Sequence, residues 1–220
     1  MATANSLITS KAPPLLTAPV EYQRQYQDQL NNLLRLYFTQ IDNINGSVLA
    51  NSGTQYLSAP YGAFQDTATQ TLVANTATAM RFNQTDYAND VSIVSGTKIT
   101  VKNAGIYNLQ WSGEFQNSDN AIHDISVWLR QDGPGAGVDI PGSRGLIACP
   151  ARKSAAAGDE GHALVGWNYF IRLEANEFVE IWWAATSALV TLSAFPAMTT
   201  PYIAPSTASV VATMSYVSRL

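Results

Sequence analysis

The chain is poor in the residues that most often mark a catalytic or nucleic-acid-binding protein, and each shortage removes a class of function. It has one cysteine and two histidines. Cys149 alone cannot form an internal disulfide, so the fold relies on burial and suits a reducing or an oxidising compartment equally. His123 and His162, far apart in sequence, leave little material for nucleophilic catalysis. The net charge is −4 and no cluster of Lys or Arg occurs, which removes the electrostatic footprint of a nucleic-acid or anionic-membrane partner. No apolar run approaches the ~20 residues that cross a bilayer. The opening "MATANSLITSKAPPLL" lacks a basic residue ahead of an apolar core, so no export signal is expected. The sequons at Asn45 and Asn83 are then expected to stay unglycosylated.

What remains is a chain of 220 residues, 46% hydrophobic and only 13% charged. Its polar part is dominated by Asn, Gln, Ser and Thr, a balance that suits a packed β fold rather than a disordered chain. The length allows one β domain of about 150 residues plus an appendage.

The appendage comes first. Pro13 and Pro14 make residues 1–19 an extended arm. With Pro19 at a first helical position and Glu21 in the first turn, a helix is expected over 20–46. Tyr26, Leu30, Leu33, Tyr37, Ile41 and Ile44 recur in steps of four, three, four, four and three, which puts one narrow apolar stripe on its side. Gly46 is read as its stop. At roughly 25 residues such a helix is about 37 Å long, as long as a small domain is wide. The stripe is the narrow seam of a helix that wants a partner, either copies of itself or a groove on another protein.

After a linker over 47–60, the period changes to two and a head domain is expected over 61–220. In "GIYNLQWSGEFQ" Tyr107, Leu109, Trp111, Gly113 and Phe115 alternate with polar residues, a strand with one buried and one wet face. "HDISVWLRQDG" repeats this with Ile125, Val127 and Leu129 and ends in the turn dipeptide Asp132-Gly133. "ALVGWNYFIRLEANEFVEIWWA" reads as two strands around a connection at Glu174 to Glu177, and "ASVVATMSYVSRL" as a last strand. "TLVANTATAMRF" and "DVSIVSGTKITVKNAG" add shorter ones. Many short strands and one long helix define a mainly β protein, an antiparallel jelly-roll sandwich preceded by one long N-terminal α-helix. "PGAGVDIPGSRG" and "KSAAAGDEG" read as long loops at one end.

The order of these pieces resembles the trimeric jelly roll of the tumour necrosis factor and complement globular-head type. "ITVKNAGIYNLQWSGEF", "ISVWLRQDG", "FIRLEANEFVEIWW" and "SVVATMSYV" carry the resemblance over Tyr61 to Leu220. Where that family usually has Gly-Asp in the connection, this chain has Ala175-Asn176-Glu177, so the likeness is to a distant branch and transfers no receptor or calcium site. Separately, "APPLLTAPVEYQRQYQDQLNNLLRLYFTQIDN" is similar to the N-terminal segment of structural proteins of tailed, marine and cyanobacterial bacteriophages. Together the resemblances imply a homotrimer in a virion, made in the host cytoplasm and anchored through residues 1–46 to capsid or tail proteins.

No constellation of chemistry competes strongly with that reading. His123 opens a strand and lacks a nucleophile beside it in sequence. "DEGH", Asp159 to His162, could hold a metal only if its loop folded back, and a solvated loop is the reading taken. "SGTK" lacks the spacing of a phosphate loop. Cys149 reads as a small apolar filler. No catalytic, metal or cofactor residue is therefore assigned. The aromatics are different: Trp111, Trp128, Trp167, Trp182 and Trp183 all fall on expected strands, and the adjacent pair Trp182-Trp183 must face opposite sides of its sheet. The outward ring is assigned to a trimer interface, with a carbohydrate-stacking platform for a host-surface glycan as the alternative. A glycan-cleaving enzyme would need two carboxylates across a groove, and only Glu174, Glu177 and Glu180, around one turn, offer themselves.

Overall fold

In the computed structural model, residues 13–14, 20–49, 59–133, 137–156 and 158–220 are described. The expected arm, save Pro13 and Pro14, lies outside the described residues, as do 50–58 of the expected linker. The chain divides into two compact units, Met1–Ser58 and Ala59–Leu220.

The described part of the first unit is dominated by one helix, α1 (Arg24–Leu49). It starts later and ends later than its sequence cues suggest. Glu21 precedes the helix and no acidic residue occupies its first turn; the Gln27 N–H bonds to the Gln23 carbonyl at 3.2 Å. Gly46 does not stop it. A glycine costs only about 1 kcal/mol relative to alanine inside a helix, and ends one only by turning left-handed. Tyr26, Leu30, Leu33, Tyr37, Ile41 and Ile44 are all half-buried, whereas Leu36 and Phe38 are exposed, as the spacing of the stripe predicts.

The second unit is a sandwich of two antiparallel sheets. Sheet A runs in the order β10 (Gly161–Leu173), β6 (Gly105–Asn117), β13 (Val210–Ser218), β1 (Tyr61–Asp66), β3 (Gln84–Asn89), with β12 (Val190–Leu192) also on β6. Sheet B runs β4 (Val91–Val94), β5 (Lys98–Val101), β11 (Phe178–Ala185), β7 (His123–Gln131), β8 (Val138–Asp139), with β2 (Thr78–Ala79) on β11 and β9 (Gly145–Cys149) on β7. The jelly-roll sandwich expected from the two-residue period is therefore present. Its core is the set of inward phases. Tyr107, Leu109, Trp111 and Phe115 on β6 meet Ile125, Val127 and Leu129 on β7 and Ile181 and Trp183 on β11, all at most 5% exposed. Each such side chain contributes roughly 1.5–3 kcal/mol by leaving water.

Turn chemistry explains the connections. "SGTK" is the tip of the β4–β5 hairpin, where Ser95 and Gly96 both have positive φ, 55° and 78°. This is the two-residue geometry whose twist suits a hairpin. Between β10 and β11, Asn176 takes the left-handed position at φ 67°; after glycine, asparagine adopts that conformation most readily.

One expectation about loops is overturned. "PGAGVDIPGSRG" and "KSAAAGDEG" do not share an end of the sandwich. The first leaves the Gln131 end of β7, where Val138 pairs with Gln131, while the second follows Cys149, which pairs with His123. Eight residues of strand separate those ends, about 26 Å. An antiparallel return strand, β9, between the two loops carries the chain from one end to the other.

Candidate functional site

The residues with chemical potential come first, because the structure gives almost all of them partners. His123 Nε2 lies 2.8 Å from Asp119 Oδ2 and its Nδ1 3.3 Å from Thr186 Oγ1. That is the order of a charge relay, yet the Thr186 hydroxyl already accepts the Asp124 N–H at 3.1 Å. The Asp124 carbonyl accepts the Thr186 N–H in return. The row tacks the turn before β7 to the end of β11. The hydrogen bond from His123, joined by the Asn120 N–H, holds the Asp119 carboxyl below the usual carboxylate range.

In "DEGH", Asp159 accepts the Ser154 hydroxyl and Glu160 accepts the Gly158 N–H, while His162 faces Glu114 at 3.6 Å. The carboxylates are spent on their own loop, and among the described residues no His, Cys, Asp and Glu group is arranged for a metal. Cys149 is fully buried and its thiol is pushed up to about 11 by that burial, with Glu114 adding to it; it packs as a small apolar residue. The Asn83 side chain is bound to Thr67 through both its oxygen and its nitrogen.

Of the three carboxylates considered for sugar cleavage, Glu180 is buried and accepts from Thr97 Oγ1 at 2.6 Å and Trp182 Nε1 at 3.0 Å. Glu174 and Glu177 do line an open groove of about 430 Å³ with Tyr169, Phe170 and Arg172. Glu174, however, is half exposed and paired to Arg172 at 2.9 Å, and Glu177 closes its own turn by accepting the Glu174 N–H. Both carboxylates are thus held by bonds at their own turn.

The five tryptophans separate into three environments. Trp111 and Trp183, at 5% and 0% exposure, belong to the core and drop out as surface candidates. Trp183 follows the expectation that one member of the adjacent pair faces inward. Its neighbour Trp182 lies on the outer face of sheet B, directly opposite Trp128, with ring centroids 6.5 Å apart. This outer cluster is closed on itself. The Arg130 guanidinium covers the Trp182 ring at 3.9 Å, and Asp139 accepts both Arg130 Nε at 2.7 Å and Trp128 Nε1 at 3.0 Å. The Arg130 hydrogen bond, joined by that of Trp128, holds the Asp139 carboxyl below its ordinary range. A sugar ring stacking on Trp182 would have to displace Arg130, so the cluster rigidifies the sheet more readily than it presents a platform. Trp167, on the edge strand β10, points inward at the rim and is 39% exposed.

The apolar surface that has no cover lies elsewhere, on the outer face of sheet A. Tyr61, Tyr87, Leu164, Phe170, Val211 and Val217, from β1, β3, β10 and β13, are 39–73% exposed. None of the tryptophans is on this face. The sequence carried a signal for it: "GHALVGWNYFIRL" places apolar residues at both parities, with Leu164 and Phe170 out of phase with Ile171 and Leu173. The strand thus carries apolar residues on both of its sides.

No family model and no curated protein matches the chain. Among solved structures, the chain is similar to Eiger, a tumour necrosis factor from S. frugiperda. The identity is 7%, the TM-score is 0.50, and the match covers 74% of this chain and 96% of that one. The globular domain of the zebrafish complement 1qA protein matches at 12% identity and a TM-score of 0.43, over 74% of this chain and 99% of that one. The head therefore has a jelly roll of the tumour necrosis factor type, a likeness of fold alone.

Proposed function

We propose that this protein is a non-enzymatic structural component of a bacteriophage particle, a homotrimer whose jelly-roll heads associate through the outer face of sheet A and whose N-terminal arm and helix fix it to the capsid or tail. The observation that carries the trimer is the uncovered apolar face formed by Tyr61, Tyr87, Leu164, Phe170, Val211 and Val217. They stand among the outward polar residues Asn108, Gln110, Ser112 and Glu114 of β6, a mixed surface of the kind that non-obligate interfaces use.

The fold likeness is consistent with a binding or assembly head, and the engagement of His123, Glu174, Glu177 and Glu180 in structural bonds favours a role without catalysis. The phage assignment rests on the resemblance of the segment through Asn43 to phage structural proteins. Sedimentation of the full chain tests the trimer: a stable monomer at micromolar concentration overturns it. Quantitative mass spectrometry of purified particles tests the address. A few hundred copies mean the capsid lattice, around a dozen the tail or a vertex, and none overturns the virion assignment.

A further inference from the structure

The helix carries more information than a stripe. Because α1 continues through Gly46 to Leu49, the position of Val48 joins the series, and the steps from Tyr26 become four, three, four, four, three, four. The series then repeats every eleven residues: Tyr26 returns as Tyr37, Leu30 as Ile41, Leu33 as Ile44, and Tyr37 as Val48. Eleven residues in three turns is about 3.67 per turn, against 3.5 for a heptad seam. A heptad continued from Tyr26, Leu30, Leu33 and Tyr37 would next require Gln40, Ile44 and Ser47 at the seam, of which the first and last are polar. The sequence places Ile41 and Val48 one residue further on.

Charge is arranged to match. At about 100° per residue, the seven seam positions fall within an arc of about 80°. The four charged residues of the helix, Arg24, Asp28, Arg35 and Asp42, gather in an arc of about 40° centred roughly 150° away. Arg24 and Asp28 approach at 3.9 Å across that back face. The seam is flanked by Gln29, Gln40 and Leu34 instead, so identical helices laid seam to seam in register bring no like charges together. In parallel copies set in register, each seam residue meets its own counterpart, layer by layer.

We infer that α1 self-associates as a parallel, in-register bundle with the eleven-residue period, straight or slightly right-handed, its layers formed by Tyr26, Leu30, Leu33, Tyr37, Ile41 and Ile44. The inference deepens the proposed homotrimer by naming a second copy as the partner of this helix. The anchoring contact to the particle then falls to the preceding arm or to the charged back face.

Single-cysteine cross-linking of the full chain under copper–phenanthroline oxidation tests it, since buried Cys149 stays silent. Leu30→Cys and Ile41→Cys should each give disulfide-linked dimers on their own, while Arg35→Cys, on the back face, and Gln40→Cys should give several-fold less. Gln40→Cys linking in preference to Ile41→Cys would mean a left-handed heptad and overturn the period. If a mixture of Leu30→Cys and Ile44→Cys copies gives the mixed disulfide while neither variant links to itself, the order is antiparallel and the inference falls. No linkage from any variant, alone or mixed, in a chain that still sediments as a trimer overturns helix self-association alone. No linkage in a monomer overturns the trimer with it.

Discussion

Trp111 and Trp167 stand directly opposite each other on β6 and β10, on the same face of sheet A, yet one is 5% exposed and the other 39%. The difference is positional. β6 is central and covered by sheet B, while β10 is an edge strand whose middle overhangs the start of the short strand β9. Gly145 opens that strand, and a Cβ there would sit 2.4 Å from Trp167 Cζ3. The rim of the sandwich closes because a glycine makes room for an indole.

Gly145→Ala should therefore push Trp167 outward without touching Trp111. Overpacking of this kind costs roughly 1–3 kcal/mol. The expected result is a lower melting temperature with a red-shifted tryptophan emission; an unchanged spectrum would mean the ring does not rest on Gly145.

The outer face of sheet A should respond to charge where sheet B does not. Phe170→Asp or Leu164→Asp should shift sedimentation from the proposed trimer to monomer with circular dichroism preserved. Leu146→Asp, at a comparably exposed apolar position on sheet B, should leave the assembly intact.

Cys149 should resist thiol reagents at neutral pH in the folded protein, because its thiol is buried and titrates at about 11. Reaction should appear only on addition of denaturant, at a rate set by unfolding. Labelling within seconds in native buffer would contradict its placement.

The Asp119–His123 bond gives a pH dependence of known sign. Asp119 titrates below its ordinary value in the folded state, so its stabilising effect is fully present above the normal carboxylate range. It is lost as pH falls through the lowered value. Asp119→Asn should lower the urea midpoint at pH 7 and make little difference at strongly acidic pH. A gap that persisted in acid would mean the residue acts by something other than its charge.

Removing the buried carboxylate on the outer face of sheet B tests whether that cluster is structural. Glu180→Ala strands the Trp182 N–H and the Thr97 hydroxyl, a loss of roughly 1–3 kcal/mol. Thermal unfolding measures it, and no change in stability would leave the cluster free for another role.

Much of the head was legible because its strands alternate cleanly. Tyr107 to Phe115 and Ile125 to Leu129 announce their inward faces by parity, and those parities are what the core uses. The helix was legible for the same reason, although its ends were not: Glu21 and Gly46 are local signals of modest energy, easily overridden by neighbouring residues. Edge strands were harder. β3, "QTDYAN", is exposed along nearly all its length, so hydrophobicity carries no period there and pairing is decided by β1. Trp111 and Trp183 stood among the surface candidates because residue type alone does not tell a core ring from a surface one; both are buried. Trp128 and Trp182 face outward but are occupied by Arg130 and Asp139, contacts made across strands distant in sequence. Leu164 and Phe170 declare themselves only once the facing of Ile171 and Leu173 is known.

The position of β13 has a consequence for how the protein is made. It is the last strand in chain order, yet it lies in the middle of sheet A, between β6 and β1. A ribosome therefore releases most of the head before the piece that joins its two halves. A chain interrupted before Val210 would leave both neighbours with open edges. Only a head that includes β13 joins β6 to β1 in one continuous sheet.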